Sequence, residues 1–96
     1  MGFQIHNYLE YRREIMEKAK EKIEKYLNKN IDENHWNCVI HDYSIIVYWD
    51  KEYIFTINCI DGADGYDWTI KCINLYMETI MEMYDLLQSA SYTKIK

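Results

Sequence analysis

Three groupings in the sequence hold residue types that do chemistry. His35, Cys38 and His41 stand at His-x-x-Cys-x-x-His spacing, a set that suits zinc if all three side chains converge. Asp61, Asp64 and Asp67 recur at every third residue and suggest calcium. A cysteine beside a histidine, such as Cys38 or Cys59 with His41, would make a thiolate nucleophile and its base.

The first two groupings fail a test of spacing, whereas a Cys–His pair assembles in space and has no spacing to test. If His35–His41 is a strand, its two-residue period puts both histidines on one face and Cys38 on the other, so they cannot share an ion without a bulge. The acidic run lacks the alternate-position oxygens and the closing glutamate of a calcium loop. Ser44, Ser89 and Ser91 sit in no nucleophile elbow, and neither a phosphate-cradling nor a dinucleotide fingerprint occurs. The expectation is a chain without catalytic residues, metal or cofactor. A small hydrolase that uses Cys59, His41 or Asp64 stays open as an alternative.

The elements that would position such groups are legible. From 7 to 28, apolar residues at Tyr8, Leu9, Ile15, Met16, Ala19, Ile23, Tyr26 and Leu27 follow one face of a helix, and Asn7 with Glu10 resembles a capping box. Residues 35–60 contain three runs rich in β-branched and aromatic residues, parted by His41-Asp42 and Asp50-Lys51-Glu52, as in an antiparallel meander. Alternation puts Tyr53, Phe55, Ile57 and Cys59 on one face of the third run. The glycine-containing stretch 61–67 predicts an acidic loop. Residues 67–73 suit either a fourth strand or the first turns of a helix, and 74–88 predict a second helix. The expected fold is a single α+β domain over 1–96, ordered α-β-β-β-(β)-α, with an antiparallel sheet of three or four strands packed by two helices.

Composition narrows the setting. The chain has 96 residues, three cysteines, no proline and a net charge of −5, which fits one domain and no disulfide framework. No run reaches the ~18 apolar residues of a membrane span, and the N-terminus lacks a secretory pattern, so a cytoplasmic protein is expected. Ile, Lys, Asn and Tyr supply 40 of the residues; their AT-rich codons point to a low-GC bacterium or its phage.

Charge is unevenly placed. Residues 1–30 carry seven basic and five acidic side chains, whereas 31–93 carry eleven acidic and two basic ones. An acidic module of this kind repels nucleic acid and attracts basic surfaces. Glu78, Glu82 and Asp85 share one helix face, and Asp61, Asp64 and Asp67 punctuate the 61–67 stretch. Tyr48, Tyr53, Tyr66 and Trp68 are candidate aromatic anchors for a partner.

The helix–strands–helix order is similar to that of double-stranded RNA-binding domains. Where those domains open their second helix with a basic cluster, this chain has Asn74-Leu75-Tyr76-Met77-Glu78, which disfavours RNA. In size, charge and layout the chain is similar to phage anti-CRISPR and other anti-defence proteins, and to immunity proteins that neutralise toxic nucleases. That likeness implies a non-catalytic inhibitor whose acids mimic phosphates on a basic, nucleic-acid-binding target protein, without direct nucleic-acid or membrane contact. A homodimer joined through a sheet edge or the Met-rich second helix is the other alternative.

Overall fold

The computed structural model describes residues 2–31, 33–62, 65–71 and 75–92, with side chains within 11–31, 33–60, 66–71 and 75–91. A long helix, α1 (Gly2–Asn30), leads into four strands, β1 (Trp36–His41), β2 (Ser44–Trp49), β3 (Glu52–Gly62) and β4 (Gly65–Lys71), and a second helix, α2 (Met77–Tyr92), follows. The strands form one antiparallel sheet in the order β1-β2-β3-β4, so each pairs with its neighbour in sequence. The α+β layout read from the sequence is the observed one.

The hairpins follow from turn chemistry. Trp49 pairs with Glu52, leaving Asp50 and Lys51 as a two-residue turn with φ of 51° and 71°. Two successive left-handed residues make a type I′ turn, whose twist matches the flanking strands. His41 pairs with Ser44 around Asp42, which has φ 55°. The third connection corrects an expectation. The 61–67 stretch is mostly strand rather than loop: Asp61 pairs with Tyr66 and Gly62 with Gly65. The same pairing makes 65–71 the fourth strand, while Ala63 and Asp64 lie outside the described residues.

Both helices cover one face of the sheet. Ile15, Met16, Ala19, Ile23 and Leu27 from α1 meet Ile45, Val47, Phe55 and Ile57 from the central strands, and Met83, Leu87 and Ala90 from α2. Each fully buried large side chain is worth about 2 kcal/mol of transfer free energy, which is what holds the helices to the sheet.

A bulge alters the strand pattern. Between Val47 and Tyr48 the register shifts, so Val47 faces Phe55 while Tyr48 faces Tyr53. Ile54 packs against the core and Tyr53 turns to the open face, 59% exposed. Strict alternation placed Tyr53 beside Phe55; one extra residue in the strand overrides it.

Helix side chains also take backbone donors at both sheet edges. Asn28 of α1 bonds the Trp36 backbone through both amide atoms, and the Cys38 N–H donates to Glu24 Oε2 at 2.8 Å. At the other edge the Ile70 N–H donates to the Tyr84 hydroxyl at 2.9 Å. Unpaired strand edges invite pairing with other chains; here three exposed donors are already taken.

Candidate functional site

The sequence-predicted residues separate onto different surfaces. Glu78, Glu82 and Asp85 project from the outer face of α2, all exposed. Met77 (72% exposed) and Met81 (60%) stand among them, and Tyr76 (84%) precedes them. The buried side of the same helix is Thr79, Met83, Leu87, Ala90 and Ser91. The apolar arc of α2 therefore divides: Met83 fills core, while Met77 and Met81 face outward.

Tyr48, Tyr53 and Asp67 lie instead on the open face of the sheet. Tyr48 and Tyr53 meet edge-on with ring centroids 6.4 Å apart, and the Tyr53 hydroxyl is 2.8 Å from Thr56 Oγ1. Asp67 is exposed and pairs with Ile60 across the β3–β4 ladder. The backbone of Asp61 is in β3, and its side chain and all of Asp64 fall outside the described residues.

Trp68 and Tyr66 are displaced from the predicted surface. Trp68 is only 8% exposed, and its indole N–H donates to Ser91 Oγ at 2.7 Å. Tyr66, half-buried, packs its ring 6.3 Å from that of Tyr11. Both point towards the helices because β4 is a strand whose even-numbered side chains face the core.

Arg12 went unnoticed in the sequence although it stands on the apolar stripe of α1, four residues before Met16. It is 7% exposed. Its guanidinium lies 3.9 Å from the Tyr43 ring centroid and 5.2 Å from that of Tyr66, close enough for cation–π attraction. Arg12 also donates to the Cys59 carbonyl at 2.6 Å. The Cys59 N–H bonds the Tyr43 carbonyl, just before the first residue of β2, where β3 runs on past it. Arg12 thus supplies a donor where the neighbouring strand no longer does. A cation inside an apolar periodicity was the available signal.

A groove of about 560 Å³ opens beside Arg12, lined also by Tyr43, Ser44, Asn58, Thr69 and Lys71. Ser44 donates to Asn58 Oδ1 at 2.6 Å, and neither histidine nor carboxylate lines the groove, so Ser44 has no base there. Cys38 and Cys59 are buried under the helices, whereas His41 is exposed and faces outward with Ser44, its partner in the ladder. Burial, reinforced by the Glu24 carboxylate and opposed by Lys20, pushes the Cys38 thiol up to about 12, which keeps it protonated and unreactive. The His35 ring lies 5.6 Å from that of Trp49, tilted by 39°, with Cys38 on the covered face. Among the described residues no cluster of three His, Cys, Asp or Glu side chains is arranged to hold a metal, and no helix is long and apolar enough to cross a membrane.

The described residues thus present an acidic, methionine-bearing outer face of α2 and, on the open side of the sheet, a face whose centre is uncharged. The chain matches no protein-family model, and comparison with curated proteins and with solved structures finds no similar chain.

Proposed function

We propose that this chain is a non-catalytic binding module whose partner is a protein with a basic surface, and that the outer face of α2 makes the contact. One observation carries the reading. Among the described residues, Tyr76, Met77 and Met81 are the most exposed of the large apolar side chains; Met77 and Met81 stand beside Glu78, Glu82 and Asp85 on α2, and Tyr76 immediately precedes that helix.

Exposed apolar side chains ringed by like charge are costly for solubility alone, where carboxylates by themselves would serve. They suit a partner that offers apolar pockets within a basic rim. Methionine side chains adapt to uneven surfaces, and the carboxylates steer a cationic partner into register. The finer form of the proposal is an inhibitor of the phage anti-defence kind, whose carboxylates occupy sites that a target uses for nucleic-acid phosphates.

The test is affinity capture from lysate of a low-GC bacterium, with wild-type bait beside a Glu82→Lys, Asp85→Lys bait. Glu78 stays unchanged because a carboxylate in the first turn of α2 also stabilises the helix dipole. A basic nucleic-acid-binding protein held at low salt, released as salt rises and absent from the variant supports the proposal. Identical captures on both baits, or none on wild type, overturn it.

A further inference from the structure

The open face of the sheet has an uncharged centre, in a molecule with a net charge of −5. Val39 and Ile46 pair across the β1–β2 ladder, and Tyr48 and Tyr53 pair across the β2–β3 ladder. Val39 is 43% exposed, and Ile46 and Tyr48 are half-buried with no helix above them. Ser44, Thr56 and Asn58 extend this neutral area. Among the described residues that face outward, formal charge enters only at the rim, through Asp67 and Lys71 on β4.

We propose that this face docks a second copy of the chain, the two sheets stacking about 10 Å apart as in a β-sandwich. Charge decides the choice of occupant. Two molecules of the same negative charge repel wherever their acidic surfaces meet, and a two-fold contact sets one patch against the same patch. The neutral centre of the sheet avoids that repulsion, and its rim carries both signs.

The other routes to self-association are less favourable. Both sheet edges have backbone donors occupied, at Trp36 and Cys38 by α1 and at Ile70 by α2. The outer face of α2 would bring Glu78, Glu82 and Asp85 against their own copies. Sheet stacking instead leaves α2 outermost on both sides of the pair, so the dimer is independent of the contact proposed above and compatible with it. Four strands about 4.8 Å apart give a patch roughly 20 Å across, smaller than a standard interface, so the association is weak and depends on concentration.

Sedimentation equilibrium of the full chain up to about 1 mM, the weak limit of specific association, tests the proposal. The expected mass rises with concentration from the 11.8 kDa chain towards twice that value, with little change in added salt. Val39→Glu with Ile46→Glu holds the chain monomeric, while Met81→Glu on α2 leaves dimerisation unchanged. Far-UV circular dichroism checks the fold, and Tyr53→Glu alone carries the test if the double variant unfolds. A wild-type chain that stays monomeric throughout, or folded sheet-face variants that dimerise like wild type, overturns the proposal.

Discussion

Asn28 treats the backbone of Trp36 as a neighbouring strand would. Its Nδ2 donates to the Trp36 carbonyl at 3.1 Å, and the Trp36 N–H donates to its Oδ1 at 2.8 Å. A side-chain amide has the donor and acceptor of a peptide group, so it can stand in for one. Placed near the end of α1, it starts β1 and occupies the sheet edge at the same point.

Asn28→Ala removes both bonds and is expected to destabilise the fold by about 2 kcal/mol, at about 1 kcal/mol per net hydrogen bond. Asn28→Asp keeps the acceptor and is expected to lose about half as much. Urea unfolding followed by circular dichroism measures both; equal stability of Ala variant and wild type would show that the edge contact contributes nothing.

Lys51 holds a left-handed conformation, with φ 71°, that carries a penalty for any side chain with a Cβ. Lys51→Gly creates the Asp-Gly pair that type I′ turns prefer. It is expected to stabilise the protein by about 1 kcal/mol, read as a higher urea midpoint at unchanged m-value. A lower midpoint would mean that the Lys51 side chain outweighs its backbone strain.

Ser91 bridges α2 and β4: it accepts from the Trp68 indole at 2.7 Å and donates to the Leu87 carbonyl at 3.1 Å. Ser91→Ala leaves a buried indole N–H without this acceptor and is expected to cost about 2 kcal/mol. Trp68→Phe in that background removes the stranded donor. The double-mutant cycle should therefore show a coupling of about 1 kcal/mol; additive losses would contradict the bridge.

The Cys38 thiol ties stability to alkaline pH. Its pKa is raised from 9.0 to about 12 by burial first, then by Glu24. Between those values the unfolded chain releases the proton and the folded chain keeps it. The contribution is thus full below pH 9 and declines as pH rises towards 12, by at most about 1.4 kcal/mol per pH unit. Cys38→Ala should flatten that part of the stability profile relative to wild type; parallel profiles would exclude the thiol as their cause.

Element types were legible because their periods differ. The stripe Ile15, Met16, Ala19, Ile23 and Leu27 repeats at helical spacing, and β2 and β3 are dense in branched and aromatic residues. The 61–67 stretch misled because acids and glycines resemble a loop, yet Gly62 and Gly65 pair as hairpin ends. That pairing is set by the length of β3, which no local window shows. Of the expected surface residues, the exposed acids of α2 followed from helix geometry, whereas Trp68 did not: its position depended on reading β4 as a strand.

The sequence by itself determined the two helices and the first three strands, the helical stripe that enters the core and the acidity of the second half, since these depend on neighbours a few residues apart; the fourth strand it left open. Only the tertiary structure decided which face of the sheet is covered. Both faces of β2 carry apolar side chains, and burial depends on where the helices dock. Tertiary contacts also turned Tyr53 outward through a bulge and drew Arg12 inward to the start of β2, because hydrogen bonds and packing between distant segments outweigh local alternation.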